Sequence, residues 1–271
     1  MGLIRSGLIF IVAVLFLVVV LVGNTFFMFN LSLDYNNVNS ELKEIIKGVD
    51  LNGQTLSNHI DENLYIMQEY CSPNLCNDAN GTLIENCTLN EYFEVTYLDY
   101  SLNISCESIL NGSEAVVNEG INEISYKIYN DQYNCVSLIK CFKESNGMPF
   151  FILSQETKDY FENKFYLCLL GVLILFVLLI VLFDTKTNAL IASGGILIFS
   201  ALPFIKIYDI VAWVTKWEFL EFLRIFFSKS MSAFGLSFTC GLVLVLLGFS
   251  IKIFNLGFKL EGLVEKIFRR G

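Results

Sequence analysis

Six cysteines, Cys71, Cys76, Cys87, Cys106, Cys135 and Cys141, form the densest set of reactive side chains in the sequence. Thiols so placed either pair with one another or hold a metal ion. Structural zinc takes four Cys or His donors at short, regular spacings. These intervals fit no such pattern, and His59 is the only histidine that could complete a site. The set therefore reads as structural disulfides, the usual support of a small exported domain that cannot fill its own core. Connectivity stays open, with one constraint. If Cys135 to Cys141 were a straight strand, their Cα atoms would lie about 20 Å apart, where a disulfide needs ~4.4–6.8 Å. Those two are expected to bond elsewhere. Cys71 and Cys76 flank Pro73-Asn74 and are spaced to close a local loop.

Acid–base chemistry has little to work with. His59 stands beside Asp61 and Glu62, and that group reads as a solvated helix face. Without a second histidine or a recognisable nucleophile motif, a hydrolase triad lacks its base. The chain is not read as an enzyme, and no cofactor or metal is expected. Lys206 and Asp209 lie three apart just after Pro203, inside an apolar stretch. Ionisable residues at membrane depth mark transport pathways by default, but these two also suit a simple ion pair at the membrane interface. Five N-x-[ST] sequons open at Asn30, Asn80, Asn86, Asn103 and Asn111. Asn30 sits too near an apolar run for easy modification, which leaves Asn80, Asn86, Asn103 and Asn111 as glycosylation candidates.

The elements that must position these residues follow from hydropathy. Of 271 residues, 54% are hydrophobic and only 17% charged, against about 25% charged in ordinary soluble domains. Lipid has to cover such a chain. Charge is also segregated: residues 30–163 hold 21 Asp and Glu against 6 Lys, while the remaining 6 acids accompany 12 bases. The acidic block would repel nucleic acid.

In order, the chain reads as a short N-terminus (1–6), a first span acting as an uncleaved signal anchor (7–29) and a Cys-rich polar domain (30–163). A second span (164–183), a tight turn (184–188) and a third span (189–209) follow. Residues 210–229, with Trp213, Trp217 and Arg224, suit an amphipathic helix at the membrane interface. A fourth span (230–251) and a basic tail (252–271) complete it, with Lys259, Lys266, Arg269 and Arg270 placed to touch anionic lipid. Inside the polar domain, a helix capped by Ser40 and a second led by Leu56 are expected on either side of an Asn52-Gly53 turn. Beyond Cys71, short β segments are expected at 92–97, 124–129, 133–142 and 150–153. Small residues recur along the third and fourth spans at Ala189, Ser193, Ala201, Ser237, Gly241 and Gly248, a pattern that lets helix backbones approach.

Arg5, Lys186 and the tail fall on one side of such a layout, which the positive-inside tendency assigns to the cytoplasm. The disulfides and sequons then lie outside. The expected fold is a four-helix transmembrane bundle with one disulfide-stabilised extracellular α+β domain inserted between helices 1 and 2, in the cell membrane, with both termini cytoplasmic. The outline is similar to four-span families such as tetraspanins, claudins and connexins. The tetraspanin Cys-Cys-Gly signature and the tryptophan-containing claudin loop are absent, so no membership is assigned. The leading functional expectation is a surface protein whose ectodomain binds a partner or organises a complex. The alternative is a subunit of a homo-oligomeric channel or transporter, with Lys206 and Asp209 near its mouth.

Overall fold

Four helical stretches are long and apolar enough to cross a bilayer: Ile4–Ser32, Gln155–Leu182, Lys186–Val214 and Arg224–Ile253. The chain is thus consistent with a multi-pass membrane protein. The structure, a computed structural model, describes residues 2–48, 50–51, 54–72, 91–97, 100–131, 150–214 and 223–253. It resolves into two compact units. One comprises Met1–Ser32 with Lys158–Gly271, and the other Leu33–Thr157.

The bundle unit is built on α1 (Gly2–Ser32), α6 (Gln155–Leu182), α7 (Lys186–Ala201) and α10 (Ser230–Ile253). Its closest contact joins α7 to α10. A Cβ added to Gly194 would stand 2.6 Å from the Gly241 carbonyl oxygen, and one added to Gly241 would stand 2.7 Å from the Gly194 carbonyl oxygen. Only hydrogen side chains admit such an approach. Ile198 and Val245 pack against these glycines and Ile191 against Gly248, while Ala189, Ser193 and Ala201 on α7 and Ala233, Ser237 and Gly248 on α10 are buried as well. Lipid tails give apolar helices no hydrophobic reason to associate, so packing at close range has to hold them.

Elsewhere α1 meets α6 through bulk. Val12, Phe16 and Val20 bury against Leu179, and Phe26 and Phe27 meet the rings of Phe161 and Phe165. One end of α6 is latched by Arg5, whose Nε and Nη2 donate to the Leu182 carbonyl at 2.8 and 2.6 Å while Nη1 pairs with Asp184. Lys186 Nζ donates to the Ile180 carbonyl at 2.8 Å. Both cations satisfy carbonyls that the end of a helix leaves without partners. This puts the start of α1 and the turn before α7 at the same end of the bundle. At the far end Phe29 meets Phe161, Phe226 and Phe227, an aromatic girdle of the kind found at membrane–water boundaries.

The third span is not one helix. Pro203 lacks the N–H that would continue the ladder, and Leu202–Ile205 form a 3₁₀ turn before α8 (Ile207–Val214). Of the interfacial helix expected over 210–229, the described residues show the end of α8 and α9 (Leu223–Phe227); residues 215–222 lie outside them. Arg224 stacks over Tyr208 and donates to its hydroxyl at 2.5 Å.

The polar unit is mainly helical. Helix α2 (Tyr35–Gly48) starts earlier than expected. Its cap is Asp34 rather than Ser40: the carboxylate accepts from Asn36 N at 3.2 Å and the Asp34 carbonyl from Val38 N at 2.9 Å. Strands β1 (Asp50–Leu51) and β2 (Gln54–Thr55) pair antiparallel across the Asn52-Gly53 position, and α3 (Leu56–Tyr70) follows. Strands β3 (Tyr92–Tyr97) and β4 (Tyr100–Ser105) form a hairpin with Tyr92 opposite Ser105 and Tyr97 opposite Tyr100. Then come α4 (Cys106–Leu110) and α5 (Ser113–Asn130).

Two expected strands are helical. Residues 124–129 belong to α5, because Val117, Ile121, Ile124 and Ile128 recur every three or four positions and bury together. Read over six residues, that stripe resembles β-branched strand sequence; read over eighteen, it is helical. Phe150–Leu153 forms a 3₁₀ turn. Ser154 ends it, donating to the Phe151 carbonyl at 2.7 Å and accepting from Thr157 N at 3.3 Å in the first turn of α6. The expected strand at 133–142 lies outside the described residues.

Candidate functional site: the stapled face of the polar unit

The candidate site begins with the edge of β4. One edge of this strand pairs with β3; the other would expose backbone groups ready to join any passing strand. Three side chains one helical turn apart on α5 close it. Glu119 accepts from Ser105 N at 3.1 Å and from Ser105 Oγ at 2.7 Å, and Glu123 accepts from Asn103 N at 2.6 Å. Lys127 donates to the Ser101 carbonyl and pairs with Glu123 at 3.2 Å. Spacing of four puts all three on one face of α5, so the helix acts as a third strand made of side chains. Leu102 and Ile104 are buried, with Ile104 Cδ1 lying against Gly120 of α5.

Helix α3 is fixed to this platform by a disulfide. Cys71 bonds Cys106, both thiol positions are buried, and Gln68 Nε2 adds a hydrogen bond to the Ile109 carbonyl at 3.3 Å. The expected local loop from Cys71 to Cys76 is thereby corrected. Its partner is the first residue of α4, a residue whose helix is already capped by Ser105 accepting from Ser108 N. Cys76, Cys87, Cys135 and Cys141 lie outside the described residues.

With its inner side tied down, α3 turns Tyr65, Ile66 and Tyr70 outward, 73%, 63% and 44% exposed. Tyr70 meets Phe93 of β3 edge-on at 5.2 Å, and the neighbouring Tyr92 is exposed as well. Exposed tyrosines beside an aliphatic side chain offer contact area at little entropic cost. His59 also lies on α3. Among the described residues no group of three or more His, Cys, Asp or Glu could hold a metal ion.

The other expected residues do not converge on this face. Asn103 and Asn111 are exposed, on β4 and just after α4, while Asn30 is partly buried and donates to Glu162 at 3.4 Å. Asn80 and Asn86 fall outside the described residues, as do Lys259, Lys266, Arg269 and Arg270 of the tail. Lys206 and Asp209 pair with each other at 3.0 Å, with side chains 74% and 62% exposed.

Sequence reasoning missed Asn24. This carboxamide, 8% exposed within α1, accepts from Ser237 Oγ of α10 at 2.6 Å. Its signal was available as the one carboxamide in an otherwise apolar run before Phe29. The Glu119, Glu123 and Lys127 series was equally visible as a period of four, but only a known position for β4 gives it meaning. No family model, curated protein or solved structure matches the chain.

Proposed function

We propose that this is a cell-surface protein with four membrane spans and cytoplasmic termini, whose polar unit is an extracellular domain that binds a protein partner or organises a membrane complex. The observation that carries the reading is the outward face of α3, with Tyr65, Ile66 and Tyr70 held by a disulfide and a sealed strand edge rather than by a flexible loop. Preorganised aromatic contacts bind without first losing conformational freedom. The acidity of residues 30–163 favours a partner with a basic rim. The exposed Asn103 and Asn111 are available for glycans on the same unit.

The channel alternative has less to stand on. Buried polar side chains of the described bundle are Asn24, Ser32, Ser193, Ser200, Ser230 and Ser237, none of them ionisable, and Lys206 with Asp209 sits in the open.

The test places a photo-crosslinking phenylalanine at Tyr65 in the full-length chain in its own cells. A discrete adduct with one other polypeptide, competed by soluble partner and lost with Ile66→Ser and Tyr70→Ser, is the expected result. An adduct only between copies of this chain, together with single-channel current from the purified protein in planar bilayers, would replace this reading with the channel.

A further inference from the structure

Between α6 and α10 the bundle unit contains a cavity of about 320 Å³, at the lower end of the ~300–1,000 Å³ typical of small-molecule sites. It exists because α10 packs tightly on α7 while α6 is held off α1 by phenylalanine and leucine side chains. Its walls are apolar: Phe16 and Val20 of α1 form the floor, Leu173 and Phe176 of α6 one side, Leu244 of α10 the other. The rim, at Leu173 and Leu236, is exposed on the membrane-facing surface of the helices. One carboxamide reaches it. Asn24 Oδ1 accepts from Ser237 Oγ at 2.6 Å, but its Nδ2 has no partner although the side chain is only 8% exposed. Turning the amide over would leave its oxygen without a partner instead. In hydrocarbon a bare amide group costs several kcal/mol, so the site as it stands lacks a hydrogen-bond acceptor.

We propose that this cleft holds one acyl chain of a membrane glycerolipid, with the ester carbonyl accepting from Asn24 Nδ2. Four features select this occupant. The unpartnered group is an N–H donor, which suits the carbonyl oxygen of an ester. Asn24 lies about 9 Å along α1 from Asn30 at the aromatic end of the bundle, near the depth at which glycerol esters meet the hydrocarbon. From there the apolar floor runs through Val20 to Phe16, about 12 Å further into the membrane, the direction an acyl chain takes from its ester. Walls of leucine and phenylalanine side chains follow a flexible chain better than a fused ring. The site is independent of whatever the polar unit binds.

The experiment uses the full-length chain in phosphatidylcholine nanodiscs carrying a trace of phosphatidylcholine with a mid-chain diazirine, followed by irradiation and peptide mapping. Adducts are expected at Phe16, Phe176 and Leu244 in excess of those at Leu170 and Val177, which face outward on α6. Asn24→Leu should lower the cleft adducts by about three- to tenfold and leave the outward ones unchanged. Ser237→Ala removes the same helix–helix hydrogen bond but keeps the amide, so its labelling should persist. Cys240→Trp, at an exposed lining position, should abolish the cleft adducts without shifting the thermal midpoint. Equal labelling on both faces, indifference of cleft labelling to Asn24→Leu, or displacement of the acyl probe by added sterol would each overturn the proposal.

Discussion

The bundle and the polar unit solve the same problem, holding helices together, with opposite means. In the polar unit, α5 buries a stripe of Val and Ile against β4, and a disulfide with three charged side chains secures what the small core leaves loose. In the bundle, the tightest seam brings backbone against backbone at Gly194 and Gly241, with Val245 and Ile198 fitted beside the glycines. Water drives apolar faces together and lipid does not. An apolar stripe that is decisive in one unit is neutral in the other, and close approach takes its place.

The comparison can be broken most forcefully at the disulfide. Cys71 and Cys106 are 35 residues apart, and a loop of that length implies roughly 4 kcal/mol of stabilisation of the polar unit. Cys71→Ser, or dithiothreitol, should lower that unit's unfolding midpoint in hydrogen exchange while protection in α7 and α10 is unchanged. Mapping of non-reduced peptides should find Cys71 linked to Cys106; linkage to Cys76 would refute the arrangement.

Gly241→Ile should cost about 3 kcal/mol or more, because its Cβ would have to displace backbone. Gly195 supplies the contrast. A Cβ there meets nothing within 4 Å, so Gly195→Ala should be neutral or stabilise α7 by about 0.5–1 kcal/mol. Thermal unfolding in mild detergent distinguishes the two, and equal effects would show that proximity is not what holds the seam.

Third comes the strand edge. Glu119→Ala leaves the Ser105 N–H without its acceptor and should destabilise the polar unit by about 1–3 kcal/mol, with faster hydrogen exchange at Ser105 as the local sign. Ser237→Ala removes the hydrogen bond from Ser237 of α10 to Asn24 of α1 and should cost about 0.6–2 kcal/mol in the bundle. Least of all, Lys206→Gln with Asp209→Asn should change stability by less than about 1 kcal/mol, the size expected of an exposed ion pair at the membrane–water interface. A loss of several times that size would mean the pair is enclosed by another copy of the chain.

Legibility in the sequence divides along the same line. The four apolar runs are plain because a span must be apolar over about twenty residues whatever its neighbours do. The small residues of α7 and α10 are equally plain, and Gly194 and Gly241 turn out to face one another within the chain. In the polar unit, local signals succeed where they are self-contained, as in β3 and in α3. They fail where partners decide. Ile124–Tyr129 looks like a strand until its period is followed back to Val117, and Cys71 looks as if it should reach Cys76 until α4 brings Cys106 beside it. Asn24 carries no meaning alone, because only the arrival of Ser237 shows which half of the amide is left over.

Arg5 has a consequence in time. It grips the carbonyl of Leu182, which lies 177 residues further along the chain. Ribosomes add roughly 5–20 residues per second, so α1 is made on the order of 10–35 s before the turn that will receive its guanidinium. Throughout that interval the whole polar unit is being synthesised, and the first helix must stay seated by its own apolar length. The grip of Arg5 on the end of α6 is therefore a late event, closing a gap that the order of synthesis opened.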